Sequence, residues 1–367
     1  MAIWNKRKKK DEPPRQEPAV VPEEIVPLQA DLEAKLEAFL APKRTPPETK
    51  DRSRTASGLY PHEILILDLA ATLFTDQEDF PVFWQRDYGI LQMSKILASL
   101  VERGFLTEAD MNATLEAATV PILKQALRTS GKPVGGKKAE LIERLLCTVS
   151  EGELYALFPR RTFAPTPAGI QALNEAIHIP YLHKRPVESM TIWSLHHAVM
   201  KHPEQSYRAL IWTHLEARSA AHIQAEDYAA YRACRYRMYQ FYMEENRLKR
   251  AFPFLAEVMY YDLSGTEGGD DMLQRYVSEK YFFPYDRSIV KLSAVCVQAM
   301  AKLQTDLGLS EEMLRALLIQ FLGQYSIPRH LFTVEECAVI ILLELRSDTE
   351  RLRKVYELAE ARFKQKN

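Results

Sequence analysis

Apolar residues in this chain recur at intervals of three and four and show no strand-like alternation of useful length, so the sequence is constrained to bury itself as packed helices. Thirteen glycines in 367 residues is about half of the usual ~7% frequency. With abundant Leu, Ala, Glu, Arg and Lys, that scarcity favours helix over sheet, and the expected fold class is mostly α. An apolar fraction of 47% with 26% charged residues excludes collagen-like, fully disordered and disulfide-scaffold classes. The length allows more than one core.

Forty-eight Lys and Arg against forty-nine Asp and Glu leave a net charge of −1, so any pull on nucleic acid or membrane has to be local. Cys147, Cys234, Cys296 and Cys337 stand far apart without a CxxC pair, which points to reduced, buried thiols and a cytoplasmic protein, nucleoid-associated if it binds DNA. The apolar run Ala338 to Leu343 is six residues, against roughly 20 for a membrane span, so no membrane partner is expected. Lys6 to Lys10 is followed by Asp11 and Glu12 instead of an apolar stretch, so no secretory leader is expected either.

The chain divides by pattern into an arm over 1–57, a helical region over 58–117, a small module over 118–152, a central helical region over 153–285 and a C-terminal helical region over 286–367. The arm holds eight of the twenty-one prolines and mixed charge, a composition that reads as disordered. Within it, Leu32, Leu36, Phe39 and Leu40 fall at helical spacing, either a docking helix or a nascent one. Folding is expected from Tyr60, with Pro61 in a first turn and an apolar face running to Leu73. A second helix runs from Met93 through Leu100 and Val101 to a cap at Gly104. Thr333-x-x-Glu336 and Ser347-x-x-Glu350 each read as a capping box.

Residues 118–146, ATVPILKQALRTSGKPVGGKKAELIERLL, separate from the rest by charge. Six basic residues, Lys124, Arg128, Lys132, Lys137, Lys138 and Arg144, face two acids, Glu140 and Glu143, a local net of +4. Val120, Leu123 and Leu127 form one helical stripe and Leu141, Ile142, Leu145 and Leu146 another, with Gly131, Gly135 and Gly136 between them. Lys137 and Lys138 open the second helix, where the macrodipole disfavours cations and a bound anion would reverse the cost. Glycines, helix-start N–H groups and two lysines together make a phosphate-binding corner.

This segment resembles a SAP domain, the helix, extended loop, helix module of many DNA-binding proteins. The matching residues are Thr119-Val120, Leu123-Lys124, Leu127, Gly131, then Gly136-Lys137-Lys138-Ala139-Glu140-Leu141-Ile142 and Arg144-Leu145. The pattern departs at Lys132-Pro133, where a leucine is usual. The resemblance implies that Lys124, Arg128, Lys132, Lys137, Lys138 and Arg144 meet the backbone of duplex DNA, often A/T-rich, with Gly135 and Gly136 as backbone donors. Phe83-Trp84, Tyr88-Gly89-Ile90, Leu100 to Leu106, Thr166-Pro167-Ala168-Gly169 and Asp262-Leu263-Ser264-Gly265 extend the likeness over about 60–265. They are similar to a set of bacterial and prophage-encoded SAP-domain proteins that carry no established activity.

The flank is also similar to a winged helix-turn-helix in which the module occupies the wing, with Gln92, Lys95 and Arg103 on the groove-facing helix. The expected reading is nevertheless an ordinary cap and helix start, because an insertion of about 60 residues replaces the hairpin that defines that fold.

His196, His197 and His202 lack the i, i+4 spacing of a helical zinc pair, and Asp262, Glu267, Asp270 and Asp271 lack EF-hand spacing, so no metal is expected. The stripe Tyr228, Tyr231, Arg232, Arg235, Tyr236, Tyr239, Tyr242 suits base stacking, but its spacing reads more simply as the half-buried face of a helix over 225–247. No phosphate-loop, zincin or hydrolase motif is present, and no catalytic residue, cofactor or small-molecule substrate is expected. The expected function is non-enzymatic binding of duplex DNA, with C-terminal helices available to a protein partner. The alternative is an adaptor or structural protein of a phage or mobile-element assembly.

Overall fold

The computed structural model describes residues 53–266, 279–327 and 330–366. The docking or nascent helix read at 31–41, nearly all of the arm, and Glu267, Asp270 and Asp271 lie outside these residues. The described chain is mostly helical, as expected, and no helix in it is long and apolar enough to cross a membrane. It divides into two compact units, one built from 71–164 and the other from 51–70 with 165–367. Residues 58–70 thus count with the second unit.

Helix α1, Pro61–Asp68, begins at the expected proline, with the Glu63 carboxylate accepting from the Tyr60 backbone N–H at 2.7 Å. It stops short of Leu73, giving way to a single 3-10 turn at Ala70–Thr72.

In the first unit, α2 (Phe83–Tyr88) turns at Gly89 into α3 (Met93–Glu102), which buries Met93, Leu97 and Leu100 and ends at Gly104, φ +76°. Strand β1 (Leu106–Glu108) follows, then α4 (Met111–Ala117), α5 (Val120–Thr129), α6 (Lys138–Thr148), α7 (Glu151–Leu157) and β2 (Phe163–Pro165). The two strands are three residues each, within a fold that is mostly helical as expected. β1 pairs with β2, Ala109 N–H donating to Thr162 O at 2.8 Å, and Phe74 bridges antiparallel to Thr162 on the other side. Three-residue strands are too short to register as alternation, and their partners lie more than fifty residues away. The hairpin therefore exists, with α4 to α7 inserted at its tip, and the expectation that the insertion replaces it is corrected. Arg161, buried, ties the hairpin by donating from Nε to Ala109 O at 3.1 Å.

Helices α4 to α7 share one small core, with Leu115, Leu123, Leu127, Leu141, Leu145 and Leu154 buried. At about 1.5–3 kcal/mol for each fully buried leucine, this core is a main source of the module's order.

The second unit continues with α8 (Pro167–Glu175), α9 (His178–Lys184), α10 (Ile192–Lys201), α11 (Tyr207–Gln224), α12 (Tyr228–Glu244) and α13 (Leu248–Asp262). After the cis bond at Phe283–Pro284 come α14 (Ala294–Asp306), α15 (Glu311–Leu322), α16 (Val334–Arg346) and α17 (Thr349–Lys366). One hydrophobic core in it joins α13 through α17 around Phe252, Met259, Leu303, Leu318, Ile340 and Tyr356. Thr333 and Glu336 form the expected capping box. Ser347 does not: it sits left-handed at φ 56° and closes the end of α16, while Asp348 Oδ1 accepts from Arg351 N at 3.2 Å to start α17. One residue cannot be both the left-handed stop of one helix and the extended cap of the next.

Candidate nucleic-acid interface

The basic segment folds as two helices joined by an extended loop. Pro121 lies in the first turn of α5, which buries Leu123, Ala126 and Leu127 and turns Arg128 outward, with Lys124 half-buried. The helix ends in a Schellman arrangement: Gly131 N–H donates to Arg128 O at 3.0 Å and Lys132 N–H to Leu127 O at 2.8 Å, with Gly131 left-handed at φ +67°. Val134 then packs back onto the core, partly buried.

Arg144 holds the rest of the loop. Its Nη1 donates to Pro133 O at 2.7 Å and to Gly135 O at 2.9 Å, so α6 reaches back and straps alternate carbonyls. Gly136 has φ +123°, and a Cβ there would lie 2.4 Å from Glu140 Oε2. That carboxylate accepts from Lys137 N at 3.3 Å, capping the start of α6. Glycine is needed at this position both for the backbone and for the cap.

The basic residues named from the sequence divide into two groups. Lys138 Nζ donates to Glu116 O at 2.5 Å, a cation on the last turn of α4, where the helix dipole favours it. Arg144 is committed to the loop. Lys124, Lys132 and Lys137 have no side-chain partner among the described residues, and Arg128 has only Gln125, at 3.4 Å. Four cations are thus left without a carboxylate partner among the described residues, two of them on one turn of α5 and two flanking the loop. Gly135 gives its carbonyl to Arg144 and its position would admit a side chain.

The surroundings are acidic. Outside 118–146 the first unit holds five basic residues, Arg86, Lys95, Arg103, Arg160 and Arg161, against ten acidic ones. Arg86 is paired with Asp87 and Arg160 with Asp76. Gln92, Lys95 and Arg103 on α3 are exposed, as expected. A phosphate backbone is attracted by the module and opposed by the rest of the unit.

The other candidates fall to structural roles. His196 is buried with its Nδ1 3.0 Å from Nε2 of His178, and His202 lies beside Glu204. Asp262 is paired with Arg232 at 2.7 Å. Cys234, Cys296 and Cys337 are buried thiols, whereas Cys147 is exposed on α6 and corrects the expectation of four buried ones. The strapping role of Arg144 is not legible in the sequence, because an arginine nine and eleven residues beyond the loop carbonyls it holds carries no local signature. Compared with known proteins, the chain matches no family model, no curated protein and no solved structure.

Proposed function

We propose that this chain is a non-enzymatic DNA-binding protein that grips the backbone of duplex DNA along the α5–α6 loop, as its likeness to a SAP domain implies. One observation carries the reading: Lys124, Arg128, Lys132 and Lys137 project from a single helix, loop, helix without a carboxylate partner among the described residues. An unpaired cluster of this kind releases counterions when it meets phosphates. The glycine loop lets a phosphate approach, and α6 starts at the end of the same loop, with the Lys137 N–H capped by Glu140. The helices of the second unit serve as a body for protein contacts.

Fluorescence anisotropy with a short A/T-rich duplex tests this. With four phosphate contacts, log K should fall against log salt with a slope of about −3.6. Lys137→Glu with Lys138→Glu should abolish most of the binding. If no binding appears at low salt, and a stable assembly with other proteins survives both nuclease and that double reversal, the chain is an adaptor of a phage or mobile-element assembly instead.

A further inference from the structure

We propose that Glu188, His222 and Cys234 form a site for a soft divalent cation, with zinc as the first candidate. The three come from separate places in the second unit: Glu188 from the turn before α10, His222 from the last turn of α11, and Cys234 from α12. Their ligand atoms all lie within 4.8 Å of one another. Glu188 Oε2 is 2.7 Å from His222 Nε2 and 3.7 Å from Cys234 Sγ. Zinc bonds of about 2.0–2.2 Å to nitrogen and oxygen and about 2.3 Å to sulfur place tetrahedral ligands roughly 3.3–3.7 Å apart. The carboxylate and thiol already stand at that spacing, and the carboxylate and imidazole need to open by about half an ångström.

The polar groups here make demands that they do not meet among themselves. His222 Nε2 faces the Glu188 carboxylate and also the Arg218 guanidinium, 3.3 Å away. An N–H on Nε2 suits the carboxylate and opposes the guanidinium, and a bare lone pair does the reverse. Arg218 Nε is itself buried without a partner among the described residues. That N–H donor asks for a water, whereas the contested His222 lone pair and the Glu188 carboxylate suit a cation. A cation takes the lone pair and the carboxylate together.

The neighbours fit such an ion. Arg218 donates to the other Glu188 oxygen, as outer partners of metal-bound carboxylates do. His222 Nδ1 turns toward Asp227 Oδ2, 3.8 Å away, the side from which carboxylates orient metal-bound imidazoles. Binding breaks the Cys234 S–H bond, forms a sulfur–metal bond and sends the proton to solvent. The two positive charges of the ion then meet carboxylates at Glu188 and Asp227 and a thiolate at Cys234, with Arg218 opposite, so the cluster goes from a net of −1 to zero. Glu188 is partly open to solvent, which leaves a fourth position for water.

Cadmium titration of the full chain in a Cys147→Ser background, which removes the exposed thiol, tests this through the thiolate-to-metal charge-transfer band in the ultraviolet. One equivalent should saturate the band, Cys234→Ser should abolish it, and zinc should displace cadmium. Asp227→Asn should weaken binding roughly 10–100-fold. If Cys234→Ser fails to fold, Glu188→Gln, at an exposed position, should still weaken binding at least tenfold. Absence of the band, its survival in Cys234→Ser, or unchanged affinity in Glu188→Gln overturns the site.

Discussion

The cations of the α5–α6 module and those of α12 both stand on or beside helices, yet they end in opposite environments. On α12, Arg232 closes on Asp262 at 2.7 Å and Arg235 on Glu257 at 2.6 Å, and Tyr231 donates to the second Glu257 oxygen at 2.5 Å. The aromatic and arginine stripe that suits base stacking is therefore closed on itself, as its spacing implied. In the module no carboxylate among the described residues pairs with the side chain of Lys124, Lys132 or Lys137. The difference teaches that local charge marks a recognition surface only where the fold leaves it unpaired. Paired and buried, such charges carry a cost in desolvation and are not free to meet a ligand.

The largest expected effect breaks the second side of this comparison. Glu257 is fully buried, and Glu257→Ala, which leaves Arg235 buried without its partner, should cost about 3–5 kcal/mol in chemical denaturation. DNA affinity measured below the unfolding transition should not change, since the module's cations do not take part.

Acid should act next, again on the second unit. Burial holds His178 and His330 at about 4, the neighbouring His196 adding to the effect at His178, so both are neutral in the fold. Below pH 6.5 the unfolded chain takes up protons that the folded chain refuses until about pH 4. Stability should therefore fall with pH across that window, by about 1.4 kcal/mol per pH unit for each histidine. Urea midpoints at pH 7 and pH 5 check this, and a double His178→Gln, His330→Gln variant that folds should flatten the dependence.

Within the module, Lys137→Glu should weaken DNA binding about tenfold and reduce the salt slope, whereas Lys138→Glu, whose ammonium is held by Glu116 O, should do less. Equal effects would place both lysines on the phosphates. The smallest effect sharpens the distinction between contact and support. Arg144→Ala should lower affinity a few-fold by loosening the loop while leaving the slope of log K against log salt unchanged, and a fall of about 0.9 would instead count it as a phosphate contact.

Much of the helical content was legible because 3.6-residue periodicity is a local property. Pro61, Gly104 and the Thr333–Glu336 box mark helix ends at the observed places. Other ends were hidden because residues with side chains occupy positions that glycine usually takes. Glu226 and Asn246, both at φ 55°, close α11 and α12, and Ser347 closes α16. The scarcity of glycine is met in this way, with a strain of roughly 1–2 kcal/mol at each such residue, less for Asn. The hairpin stayed hidden because its strands are short and remote from one another.

By itself the sequence determined that the chain would be helical and that its excess positive charge would fall in one short segment, since periodicity and charge are counted along the chain. Only the tertiary structure decided which of those charges remain free. Arg144 and Lys138 are drawn to carbonyls that chain folding places beside them, while the side chains of Lys124, Lys132 and Lys137 meet none among the described residues. The meeting of Glu188, His222 and Cys234 was decided the same way. Residues 34 and 12 apart become neighbours when helices pack, and spacing along the chain carries no trace of it.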